Sequence, residues 1–60
     1  MEKLLNINEV SEILQVKKAT IYNWTFCRKI PFVKINGVLR FKEKAINEWI
    51  NNQVEEPKKI

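Results

Sequence analysis

The spacing of apolar residues changes along the chain, and each change marks an element. Ile7, Val10, Ile13 and Leu14 recur at helical intervals while Asn8, Glu9 and Glu12 take the other side, which predicts an amphipathic helix with one packed and one wet face. Asn6 stands where an N-cap belongs, and Glu9, three residues on, can reach back to it, so the helix start reads as a capping box. Gln15-Val16-Lys17 breaks the pattern without glycine or proline. A second stripe then follows at Ala19, Ile21 and Trp24, with Lys17, Lys18, Thr20, Tyr22 and Asn23 interleaved. Two short helices joined by so few residues cross steeply, as in a helix-turn-helix, and Val16 is placed to plug their junction.

Pro31 ends the second helix near Arg28 or Lys29, because proline cannot donate to a helical ladder. Beyond it, Phe32 to Phe41 is rich in β-branched and aromatic residues around a central Asn36-Gly37, the signature of a hairpin closed by a two-residue type I′ turn. That turn would pair Ile35 with Val38, Lys34 with Leu39, Val33 with Arg40 and Phe32 with Phe41. Lys42-Glu43-Lys44 opens a last helix whose stripe of Ala45, Ile46, Trp49 and Ile50 closes the core, leaving Asn47, Glu48, Asn51 and Asn52 outside. Trp24, Trp49, Phe32 and Phe41 are assigned to the core, and Cys27 is taken as a partly buried small apolar residue. Residues 54–60 are too polar and too short to pack alone and are expected to form a tail after a domain spanning 1–53. The fold class expected is α+β, mostly α: a winged helix-turn-helix with a two-stranded hairpin as the wing.

Sixty residues allow one small core. Eleven Lys and Arg against seven Glu give a formal charge of +4, which favours a polyanionic partner once the charges prove segregated. They are. Lys17 and Lys18 open the second helix, Arg28 and Lys29 close it, and Lys34, Arg40 and Lys42 lie in or just after the hairpin, whereas Glu9, Glu12, Glu43, Glu48, Glu55 and Glu56 fall elsewhere. With no His, no Asp, a single Ser and a single Cys without a base partner, the chain offers no catalytic constellation, no metal site and no cofactor loop, so an enzyme is not expected. No run of 18 apolar residues exists, so neither a signal peptide nor a membrane span is expected, and a cytoplasmic location fits a lone cysteine.

In a winged helix-turn-helix the second helix enters the major groove, about 18–27 here, and the hairpin, 32–41, touches adjacent backbone. Lys17 and Lys18 oppose the helix dipole and so gain little without an anion, which makes them candidates for phosphate or base contact. Thr20 can satisfy a first-turn amide or touch a phosphate. Tyr22 follows a core Ile and faces outward, where a large aromatic wants a partner surface. Asn23 carries the donor and acceptor pair that matches adenine. Lys34 and Asn36 near the hairpin tip are candidate backbone or minor-groove contacts, Arg28 and Lys42 are further candidates for DNA contact, and Arg40 can cover the core with its stem while holding its charge outside.

The chain also resembles a known family, the excisionase-like and AlpA-like small DNA-binding domains, relatives of the MerR winged-helix fold. The resemblance runs from about Leu4 to Gln53. It rests on Leu4-Leu5-Asn6-Ile7-Asn8-Glu9-Val10, Val16-Lys17-Lys18-Ala19-Thr20-Ile21-Tyr22-Asn23-Trp24, Ile30-Pro31, Gly37-Val38-Leu39-Arg40-Phe41 and Ala45-Ile46-Asn47-Glu48-Trp49-Ile50. Two positions depart from it: Gln15 stands where the family often has Gly, and Lys17 where it has a Ser cap. The resemblance implies binding of double-stranded DNA as a recombination directionality factor or a small transcriptional regulator of a phage or mobile element. Lys17, Lys18, Tyr22 and Asn23 would then face the groove and Arg40 would grip a phosphate. Implied partners are DNA, an integrase or other recombinase, and further copies of the chain binding cooperatively. The alternative is a protein-interaction module that docks a phage packaging or recombinase partner.

Overall fold

A computed structural model describes residues 2–55. The chain order is β1 (Leu4–Leu5), α1 (Ile7–Leu14), α2 (Lys18–Phe26), β2 (Val33–Ile35), β3 (Val38–Lys42) and α3 (Glu43–Asn52). The result is a mostly helical α+β winged helix-turn-helix whose strands form one antiparallel sheet in the order β1-β3-β2.

α1 begins as its sequence specifies. The Glu9 amide donates to Asn6 Oδ1 at 2.8 Å and the Asn6 amide to Glu9 Oε1 at 3.0 Å, a closed capping box. It ends on Gln15, which adopts the left-handed conformation at φ 55°. The Val16 amide then turns back to the Ser11 carbonyl at 3.2 Å, so one of the helix's orphan carbonyls is satisfied within the turn. Only Gln15, Val16 and Lys17 separate α1 from α2.

The core draws one residue from each part of the chain: Leu5 of β1, Val10 of α1, Ile21 of α2, Ile30 of the following loop, Phe41 of β3 and Ile46 of α3. Ile7, Leu14, Val16, Trp24, Phe32, Leu39, Trp49 and Ile50 pack around these six. The Trp24 and Trp49 rings lie 5.7 Å apart in a tilted pair, a favourable aromatic geometry. The Trp49 indole also donates to the Lys29 carbonyl at 2.8 Å, tying α3 to the segment that leaves α2.

The hairpin has the expected register, Val33 with Arg40, Lys34 with Leu39 and Ile35 with Val38. Asn36 at φ 50° and Gly37 at φ 82° form its turn, the two positive φ values that type I′ demands.

Five expectations are corrected. The sheet has three strands rather than two, because Leu4 pairs with Lys42 and Leu5 with Phe41. Phe32 therefore does not pair with Phe41: the hairpin ladder stops at Val33, and Phe32 turns to the wall of a cleft beside α2. Lys42 ends β3 and stands at the N-cap position of α3, which starts at Glu43, without a side-chain bond to that helix. Ile13 is half exposed, because at 100° per residue it stands about 90° from the centre of the Ile7, Val10 and Leu14 stripe. Ala19 and Cys27 are exposed rather than packed. The expected tail over 54–60 lies mostly outside the described residues; Val54 and Glu55 have no regular structure.

Candidate nucleic-acid interface

α2 differs from the other two helices at its start. α1 and α3 each carry a glutamate in the first turn, Glu9 and Glu43, whereas α2 has no acidic residue there and its N-cap, Lys17, makes no side-chain bond to the helix. The positive pole of α2 is thus left with Lys17 and Lys18, both exposed, beside it. Amides without side-chain partners, a helix dipole and two ammonium groups at one place favour an anion such as a phosphate.

Burial of Ile21 and the packing of Trp24 fix which side of α2 looks outward. The exposed residues are Lys18, Ala19, Tyr22, Asn23 and Phe26, one continuous stripe at helical spacing. Tyr22 is 54% exposed and Phe26 88%. Thr20 is half buried beside the stripe, and Thr25 is held by donation of its hydroxyl to the Tyr22 carbonyl at 2.7 Å.

Arg28 is placed by the way α2 stops. It takes the left-handed conformation at φ 57°; its amide donates to the Thr25 carbonyl at 3.1 Å and the next amide, of Lys29, to the Trp24 carbonyl at 2.8 Å. This pair of bonds is the Schellman motif, whose left-handed position usually belongs to Gly. An arginine there holds its charge at the end of α2 opposite Lys17 and Lys18.

Between α2 and the wing lies an open cleft of about 790 Å³, walled by Tyr22, Asn23 and Phe26 on the helix side, Arg28 at the corner, and Phe32, Lys34 and Leu39 on the wing. Tyr22, Asn23, Arg28 and Lys34 are therefore brought together. Asn36 is exposed at the wing tip. Arg40 and Lys42 are not part of this cluster. Lys34 pairs with Leu39 and Arg40 with Val33, and side chains alternate between the faces of a sheet, so Arg40 and Lys42 lie on the face opposite Lys34. Arg40 is half buried, with its guanidinium donating to the Leu39 carbonyl at 2.7 Å; Lys42 is exposed at the far end of β3, paired with Leu4.

Phe26 was not singled out from the sequence, although the helical angle points to it. Relative to the centre of the Ile21 and Trp24 stripe it lies about 170° away, on the outermost line of α2.

Among the described residues no helix is long and apolar enough to cross a membrane. Residues 4–54 match a family model described as a helix-turn-helix domain, which takes in all six elements. Neither the curated proteins nor the solved structures yield a match.

Proposed function

Because the chain belongs to this helix-turn-helix domain family and so binds double-stranded DNA through that unit, we propose that α2 lies in the major groove and reads sequence there while the wing engages the adjacent backbone. The observation that carries this reading is the layout of α2: an exposed, uncharged central face with Lys17 and Lys18 at one end and Arg28 at the other. Nine residues at 1.5 Å each make a helix of about 13.5 Å, close to the roughly 12 Å width of the major groove. Cations at both ends then meet phosphates on the two flanking strands, and Tyr22 and Asn23 meet base edges. Thr20, beside the lysines, supplies a hydroxyl to the same backbone. Lys34 and Asn36 on the wing contact the neighbouring phosphates, and Arg40 and Lys42 contribute a second basic strip on the outer face of the sheet.

A domain of this size covers roughly 600–1,000 Å² of a duplex, so one copy binds weakly, and useful occupancy comes from several copies on neighbouring sites or from an integrase or other recombinase bound alongside. The biological role is that of an excisionase-type directionality factor or a small transcriptional regulator of a phage or mobile element.

The test is a titration of Lys18→Ala and Tyr22→Ala against duplexes that the unaltered protein has selected from a randomised pool. Lys18→Ala weakens binding evenly across sequences and reduces the salt slope by about one, the mark of a lost phosphate contact, while Tyr22→Ala narrows the gap between selected and random duplexes. Unchanged affinity in both variants would overturn the reading in favour of a protein-docking module.

A further inference from the structure

Phe26 is the most exposed large apolar residue among the described residues, with 88% of its surface open. It sits at the edge of the cleft between α2 and the wing and makes the outermost line of α2 together with Ala19, seven residues before it. Tyr22 and Asn23 flank that line on either side. No charged side chain interrupts it between Lys18 and Arg28. A helix whose outermost line carries Ala19 near its start and Phe26 as its last residue, with cations only beyond these, has no Arg or Lys on that line for reading guanine, which is recognised chiefly through those residues. It suits the one apolar feature of the major groove, the 5-methyl group of thymine, against which Phe and Ala pack.

We propose that Phe26, the last residue of α2, is a specificity-determining residue that selects thymine by contact with its 5-methyl group. The inference rests on the major-groove reading of α2 and assigns what that helix prefers. Packing of the ring on the methyl removes from water an aromatic surface that the free protein leaves open. Asn23, one helical turn back on the same face, is in place to take the adenine of an adjacent step, so the preferred site is rich in A·T pairs.

The experiment uses duplexes selected from a randomised pool by the full chain, resynthesised with deoxyuridine in place of thymidine, which deletes the methyl and leaves every Watson–Crick pair intact. The unaltered protein binds the uracil duplexes about fourfold more weakly for each methyl lost from the contact, the ratio expected for one buried hydrocarbon group. Phe26→Ala binds the thymine and uracil duplexes equally, with the salt slope of the unaltered protein, because no phosphate contact has been removed. Its far-ultraviolet circular dichroism and melting temperature match those of the unaltered protein, since the ring is almost wholly exposed and lies outside the core. Equal binding of thymine and uracil duplexes by the unaltered protein would overturn the inference while leaving DNA binding intact. A thymine preference that survives in Phe26→Ala would also overturn it, by assigning the methyl to another residue. Failure to enrich any duplex from the pool would instead remove the groove reading on which it stands.

Discussion

Two residues hold backbone conformations that their side chains do not favour. Gln15 and Arg28 both sit in the left-handed region, at φ 55° and 57°, where a side chain costs about 1–2 kcal/mol. Glycine would relieve that cost but would also widen the unfolded ensemble, so the net gain is smaller. Gln15→Gly is expected to stabilise the domain by about 0.5–1 kcal/mol in thermal or urea unfolding and to leave DNA affinity unchanged. Arg28→Gly is expected to show the same gain in stability together with weaker DNA binding and a salt slope lower by about one. Stability and binding moving together in Arg28→Gly would mean that its charge does not reach the DNA. The two substitutions share a backbone effect, so their difference isolates the guanidinium.

At the scale of elements, what was legible in the sequence depended on whether the signal was local. The capping box of α1 and the Asn36-Gly37 turn are complete within four and two residues, and both formed as read. Asn6→Ala is expected to cost about 1 kcal/mol through loss of the cap, seen as a lower melting temperature. Gly37→Ala is expected to destabilise by roughly 1 kcal/mol even though a Cβ there meets no neighbouring atom, because φ 82° disfavours any L side chain. A Gly37→Ala variant as stable as the unaltered chain would mean that the turn relaxes to another type. The strand β1 was not legible, since two residues, Leu4 and Leu5, are too few to show a period of two, and their pairing with Phe41 and Lys42 is set by tertiary contact. The left-handed stops at Gln15 and Arg28 were hidden for a related reason: neither residue type signals that conformation, and only the bonds that close each turn require it. The candidate site was legible in part. The outward direction of Tyr22 and Asn23 followed from helical spacing, whereas the placing of Lys34 and Arg40 on opposite faces of the sheet follows from the ladder and the pleat together.

For the whole molecule, the arrangement joins a thin core to a charged rim. Six buried residues, one from each element except β2 and one from the loop after α2, hold the three helices and the sheet, and five of the seven exposed large apolar side chains among the described residues fall in two places. One is the outer line of α2, with Tyr22 and Phe26; the other is the outer face of the sheet, where Leu4, Ile35 and Val38 are each 40–48% exposed near Arg40 and Lys42. The formal charge of +4 is small, so affinity depends on where the cations sit more than on their number. The most direct test of this account is a titration of labelled duplex DNA with the full chain over a series of salt concentrations. Groove binding by α2 flanked by Lys17, Lys18, Arg28 and the wing lysine predicts a logarithm of the association constant that falls linearly with the logarithm of salt, with a slope of about −3 to −4 for four phosphate contacts. Absence of binding to any duplex at low salt would contradict it.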